Sequence, residues 1–295
     1  MTERAALVAA ARETIARGSL SFSLASRLFD RATRERAWLL YAWCRHCDDV
    51  MDGQALGGGM SQVDDPVQAL AAIRVGTSRA LAGEPAEPPF EGLAIVAAEC
   101  AIPMRYVEDH LDGFALDAKG WQPRSEADLI RYCYHVAGSV GCMMAIIMGV
   151  PQDDEDTLSR ASDLGLAFQL ANIARDLGED DLAGRNYLPH EWLAELDVPP
   201  GEALKPHFRK RLAVAARWLG ELAADREASA RVGAARLPFR ARWAVLAAAG
   251  IYGEIVRDVV RRGDKAWDER VTISGREKLS FVGQALREAR RGTPA

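Results

Sequence analysis

Three carboxylates, Asp48, Asp49 and Asp52, close a run in which Trp38, Leu39, Leu40, Tyr41, Ala42 and Trp43 are apolar or aromatic. A helix built on such a run is buried, and a carboxylate on it is costly unless a cation or a dense set of hydrogen bonds meets it. Asp48 and Asp52 share one helical face with about 6 Å of rise between them, where like charges repel. A positive partner is therefore expected in front of them. A second stretch, 161–180, is apolar around most of its circumference, and its polar residues Gln169, Asn172, Asp176 and Asp180 are spaced to form one stripe. Glu179 and Arg175 stand beside that stripe. Oxygen donors alone, carried on two rigid helices, suit a hard divalent cation such as Mg²⁺ that also holds substrate phosphates. Either cluster taken singly reads as a solvated helix end. Ion-pair networks are the other account, but the nearby cations are few, Arg45, Arg175 and Arg185, and their guanidinium groups are better read as neutralising a diphosphate.

The elements that would position these groups are helical throughout. Periodicity predicts helices over 2–17, 21–29, 31–52, 67–81, 90–100, 104–112, 125–148, 153–182, 202–229, 237–262 and 275–290, with Gly or Pro near most joins. Ser19 and Ser21 offer hydroxyls that cap the second helix or bind an anion. Gly57-Gly-Gly59 sits in a loop over 53–66 and follows no strand, so it is no dinucleotide fingerprint. No alternating strand pattern occurs, and composition does not change across the connector at 82–89. The expected fold class is all-α, with 1–295 as a single domain.

Lys+Arg 37 against Asp+Glu 42 leaves a net charge of −5 without long runs of one sign, which excludes a nucleic-acid surface as the leading function. Five cysteines without regular spacing read as reduced thiols in a cytosolic protein. The most apolar segments, 140–151 and 244–252, are shorter than the roughly 20 residues of a membrane span, and the acidic, interrupted N-terminus is unlike a secretory signal. A cytoplasmic protein is expected, at most peripheral at the inner membrane surface. Arg287 to Arg291 form a basic end able to meet anionic lipid, the bland reading being a solvated helix terminus. Cys44 and Cys47 have the spacing of a zinc or redox pair, but no second pair follows, so packing is the expectation.

Five stretches, Gly18-Ser-Leu-Ser-Phe22, Tyr41-Ala-Trp-Cys-Arg-His-Cys-Asp-Asp-Val-Met-Asp52, Tyr132-Cys-Tyr-His-Val-Ala-Gly138, Gln169-Leu-Ala-Asn-Ile-Ala-Arg-Asp176 and Gly184-Arg-Asn-Tyr-Leu-Pro189, occur in this order. Together they resemble the squalene and phytoene synthase family along nearly the whole chain. The resemblance implies the class I isoprenoid (terpenoid) synthase helical bundle, its two acidic motifs facing each other across a central cavity. It implies metal ligation by Asp48 and Asp52 on one wall and by Asn172, Asp176 and Asp180 on the other, with Asp49 behind them. Diphosphate contacts would fall on Ser19, Ser21, Tyr41, Arg45, Gln169, Arg175 and Tyr187. Tyr252 and Arg270 would close the site from the C-terminal side, the match at Arg270 needing a one-residue gap.

The chemistry so implied is the 1-1′ condensation of two prenyl diphosphates through a cyclopropylcarbinyl intermediate. Two geranylgeranyl diphosphates giving phytoene, with Mg²⁺ (or Mn²⁺) and without NADPH, is the leading expectation, because no nucleotide-binding motif is found. The alternatives are a farnesyl-using relative making squalene, dehydrosqualene or hydroxysqualene, and a non-catalytic prenyl-lipid-binding or assembly protein, whose acidic motifs would be eroded. A dry cavity is needed to protect a carbocation from water. Val136, Ala137, Gly138, Val140, Gly141, Leu164 and Phe168 are candidates to line it, with ordinary helix packing as the equal alternative. Tyr132 is the candidate to stabilise cations through its ring. Ser26, one helical turn beyond Phe22, is small enough to leave room for a long chain.

Overall fold

A computed structural model describes residues 3–53, 63–199, 202 and 205–291. The glycine run at 57–59 lies outside the described residues. The chain begins with α1 (Glu3–Gly18), α2 (Leu20–Ser26) and α3 (Arg31–Asp52). Ser19 caps α2 by accepting from the Phe22 amide at 3.3 Å, and Asp30 caps α3 by accepting from Thr33 at 3.0 Å. Gly53, left-handed at φ 58°, ends α3. Asp52 is therefore in the last turn of a buried helix.

Next come α4 (Pro66–Leu81), α5 (Pro88–Cys100), α6 (Met104–Asp117) and α7 (Glu126–Cys133), which passes through a π turn, Tyr134–Gly138, into α8 (Ser139–Ile147). The chain continues in α9 (Glu155–Leu182), α10 (His190–Glu195), α11 (Arg209–Ala234), α12 (Phe239–Arg262), a 3₁₀ turn at Gly263–Lys265 and α13 (Gly275–Arg291). No strand occurs among the described residues.

α9 is the axis of the bundle, packed by α8, α11 and α12 and by the π turn. Its contact with the 126–147 segment is backbone to backbone. A Cβ on Gly165 would stand 2.2 Å from the Ala137 carbonyl oxygen, and one on Gly141 would stand 2.3 Å from that of Ala161. Gly138 abuts the side chains of Ser162 and Leu166, each 2.6 Å from where a Cβ would be. For Gly138 and Gly141 the small side chain thus serves helix packing.

Four boundaries differ from expectation for local reasons. The predicted helix 125–148 is divided by the π turn, in which one extra residue per turn is accommodated. α6 runs on through Gly113 to Asp117, because Val136 of the π turn sits where a Cβ at Gly113 would be, 2.6 Å away. That glycine is required for contact and does not stop the helix. α10 has too few residues to show a period, and α11 starts at Arg209 after a turn. The 126–147 stretch is, by length and composition, apolar enough to cross a membrane, which no segment was expected to be; half of its apolar window is buried inside the bundle.

Candidate active site

The two acidic motifs lie at the C-terminal ends of α3 and α9, where the unpaired carbonyls already carry partial negative charge. Carboxylates are disfavoured there, so the electrostatic need for a cation is greater than sequence spacing alone suggests. Burial, with Asp52 and Asp49 close by, pushes Asp48 up to about 7 against the pull of Arg45. Asp180 is likewise raised to about 7 by burial, by Asp176 and, from the other wall, by Asp52. The two motifs therefore share one field.

Arginines answer that field. Arg185, in the loop after α9, pairs with Asp52 at 2.6 Å, while its backbone amide donates to the Asp180 carbonyl at 2.8 Å. Arg175 holds Asp176 with two bonds, its Nε at 2.7 Å, and Arg270 reaches the same carboxylate at 2.9 Å and also binds Glu179. Arg45 lies 3.9 Å from both Asp48 and Asp49. Arg270, placed by the loop that Trp267 anchors through its indole bond to the Ala174 carbonyl at 3.0 Å, thus joins the site from the C-terminal side. Asn172 and Gln169 are half-buried on α9 above Asp176.

A further carboxylate belongs here that sequence spacing missed. Asp117, the last residue of α6, accepts from the Tyr132 hydroxyl at 3.0 Å and from the Tyr187 hydroxyl at 3.1 Å. Burial raises it to about 6, with Arg185 opposing the rise and Asp52 adding to it. The Tyr132 ring stacks on Tyr187 at 4.9 Å and on Trp121 at 5.6 Å. Its hydroxyl and that of Tyr187 are engaged by Asp117. Reading α6 one turn further would have brought Asp117 into view.

Beside the charged groups stands an aromatic cluster from four helices. Phe22 of α2 meets Tyr41, Phe168 and Tyr252 at centroid distances of 6.2, 5.9 and 5.4 Å, and Phe168 stacks on Tyr252 at 4.1 Å. Among the described residues Tyr41 Oη and Arg45 Nε are buried without a hydrogen-bond partner, and Gly18 lets the Tyr41 hydroxyl come within 2.6 Å of where a Cβ would be. Burial raises the Tyr252 phenol, with Arg175 and the Ser19 hydroxyl opposing. Ser19, Tyr41, Arg45, Arg175 and Tyr252 are thereby gathered in one place. Ser21 is half-buried on α2, and Val136 is half-buried against α6.

Away from the site, Cys47 is fully buried and Cys44 partly so, and burial raises both thiols. Beside the acidic end of α9, Asp180, Asp181, Arg185 and Tyr187 line a cavity of about 10 Å³, the size of one water.

The squalene/phytoene synthase family model matches residues 15–277. The chain belongs to that family. It is similar to the 15-cis-phytoene synthase of Pantoea ananas, with 45% identity over 96% of this chain and 93% of the relative. Similarity to the 15-cis-phytoene synthase of a Paracoccus strain is 42% over 94% of this chain and 90% of the relative. A solved dehydrosqualene synthase superposes with a TM-score of 0.87 at 26% identity, covering 98% of each chain. The squalene synthase HpnC from Alicyclobacillus acidocaldarius, at 23% identity and a TM-score of 0.77 over 89% and 96%, shares the fold. The bundle is thus the isoprenoid synthase helical fold.

Enzymes of this fold generally use a divalent metal, and the donor set here fits one in chemistry: carboxylate and amide oxygens on two helices, two of the carboxyls raised to about 7 by burial with neighbouring carboxylates adding to the rise. Among the described residues no three acidic, His or Cys side chains converge as a ready-made metal site; Asp52 and Asp176 are turned to arginines.

Proposed function

We propose that this protein is a phytoene synthase, joining two geranylgeranyl diphosphates head to head and releasing two diphosphates, as a step of carotenoid synthesis. The observation that carries this is nearly full-length similarity to 15-cis-phytoene synthases, supported by two intact acidic motifs sharing one field. Asp48, Asp52, Asn172, Asp176 and Asp180 would hold the metal, Mg²⁺ in our reading. When bound, the metal offsets the charge that grows on the departing diphosphate.

The chain's own residues account for the rest. Arg45, Arg175 and Arg270 supply planar donors for diphosphate oxygens, and the unpartnered Tyr41 hydroxyl and Arg45 Nε are poised for the same acceptors. Ser19, Ser21 and Gln169 complete the polar rim. As the allylic C–O bond of one substrate breaks, the aromatic faces of Phe22, Phe168 and Tyr252 exclude water and stabilise positive charge. The C2=C3 bond of the second substrate captures C1 of the first, and a proton leaves to give the cyclopropyl intermediate. Its own ionisation and rearrangement, closed by proton loss and not by hydride, give phytoene. Tyr132 and Tyr187 are held by Asp117 on the side of Asp52 and Arg185. In this reading the basic end of α13, at Arg287, Arg290 and Arg291, meets an anionic membrane that supplies substrate; flotation with anionic but not neutral vesicles is the expected result, and equal flotation with both would remove that element.

The test is to incubate purified protein with geranylgeranyl or farnesyl diphosphate, with and without NADPH, and identify the hydrocarbon. Phytoene from the geranylgeranyl substrate alone, abolished by EDTA and by Asp48→Ala or Asp176→Ala, is expected. A product only from farnesyl diphosphate, or turnover indifferent to EDTA, overturns the proposal.

A further inference from the structure

Arg185 has a setting unlike that of the other site arginines. Its guanidinium pairs with Asp52 at the end of α3 at 2.6 Å, and its backbone closes on Asp180 at the end of α9. One arginine therefore joins the acidic ends of two helices, α3 through its guanidinium and α9 through its backbone. Arg175 and Arg270, by contrast, converge on Asp176 and Glu179 along α9. Arg185 thus stands between the C-terminal ends of α3 and α9, whose dipoles add to the negative charge there. A salt bridge that brings two acidic helix ends together in this way lowers their mutual repulsion, and it also occupies an oxygen of Asp52 that a metal would need.

We propose that Arg185 is a built-in stand-in for the metal, holding the two acidic walls together until a diphosphate draws its guanidinium away from Asp52. The inference rests on the metal-dependent function proposed above and adds an order to it. Diphosphate offers Arg185 a planar bidentate partner, and Asp52 is freed at the moment the anion arrives. Metal and diphosphate binding are consequently coupled, each strengthening the other by the same factor. An ionising centre is then assembled only when substrate is present, and metal alone meets a site whose negative charge is already partly offset.

The experiment measures Mn²⁺ binding by electron paramagnetic resonance, with and without inorganic pyrophosphate, in the wild type, Arg185→Gln, Arg185→Lys and the remote control Arg226→Gln, whose partner is Asp163. Circular dichroism confirms that each is folded. Wild type is expected to bind Mn²⁺ weakly alone and on the order of tenfold or more tightly with pyrophosphate. Arg185→Gln should bind Mn²⁺ alone about tenfold more tightly than wild type and respond less to pyrophosphate. Arg185→Lys should fall between the two, and Arg226→Gln should match wild type. If Arg185→Gln binds Mn²⁺ alone no better than wild type while pyrophosphate still promotes binding, the stand-in role is overturned and the metal-dependent function stands. An equal gain in Arg226→Gln reduces the effect to net charge and also overturns it. No Mn²⁺ binding in any protein, with or without pyrophosphate, overturns both.

Discussion

Ser26 and His110 show what single side chains do in the bundle. Ser26 is buried, and its hydroxyl accepts from the Trp38 indole at 2.9 Å while donating to the Ser23 carbonyl at 3.0 Å. A phenylalanine there would fill the space one turn beyond Phe22 and push Trp38 aside. Ser26→Phe is expected to shift preference towards the shorter farnesyl substrate, read as the ratio of kcat/KM for the two diphosphates; an unchanged ratio removes Ser26 from chain-length control. His110, 2% exposed, is packed against Trp43 and Phe114 at 5.2 and 5.0 Å. Burial lowers its pKa to about 4 from the ordinary 6.5, against the backbone of His135 and Val136. The folded protein therefore keeps His110 neutral where the unfolded chain takes up a proton. Its contribution is intact above about 6.5 and is lost as pH falls towards 4, costing about 3 kcal/mol in all. The difference in unfolding free energy between the wild type and His110→Phe should move by about that amount in favour of the variant between pH 7 and pH 4. A pH-independent difference would show that the ring is not held neutral.

The contact between α9 and the 126–147 segment sets the position of the α9 acidic wall. Gly165 lies two turns before Asn172, and a Cβ there meets the Ala137 carbonyl, a backbone atom that cannot rotate away. Gly165→Ala should therefore destabilise by about 2 kcal/mol or more and lower kcat more than tenfold by displacing Asn172, Asp176 and Asp180. Thermal melts and steady-state kinetics measure the two. Gly83→Ala, a left-handed glycine with open space about it, is a control in which only the melt should change. The same elements show what the sequence could reveal. α3 was legible to the residue, because a long apolar period ends in charge and a glycine, and both acidic stripes were legible from spacing. The π turn, the continuation of α6 and hence Asp117 were not. Their cause is the Val136 to Gly113 contact between segments more than twenty residues apart, which no local period records. The pairing of Arg185 with Asp52 was hidden for the same reason: it joins loop and helix across the fold, whereas Arg175 and Asp176 are adjacent in the chain.

At the scale of the molecule the described residues form two large cores and a smaller one of Ala234, Leu246, Ala247, Ala285 and Ala289. Of the large cores, the first centres on Leu39, Trp43, Leu93 and Met143, the second on Leu170, Leu188, Leu212 and Ile251. Chains of this length commonly unfold in stages, so separate cores would ordinarily argue for two transitions. Three segments argue otherwise by passing through both. The 126–147 segment places Leu129 and Tyr132 in the second core and Cys142 and Met143 in the first. α9 gives Leu158 to the first and Leu166 to Leu177 to the second, and α12 gives Ala241 and Ala244 to the first and Ile251 to Val259 to the second. Melting either core strips one half of each of these helices of its packing, and a helix half without tertiary contacts has little stability in water. The described helices are therefore expected to unfold as one unit, with coincident far-ultraviolet circular dichroism and tryptophan fluorescence transitions and equal calorimetric and van't Hoff enthalpies. Trp43 reports on the first core and Trp192 on the second, so Trp43→Phe and Trp192→Phe should alter the fluorescence amplitude without separating it from the dichroism. Two resolved transitions, one carried by each tryptophan, would show instead that the acidic walls of α3 and α9 stand on independently folding parts, joined across the site by little more than Arg185 and Asp52.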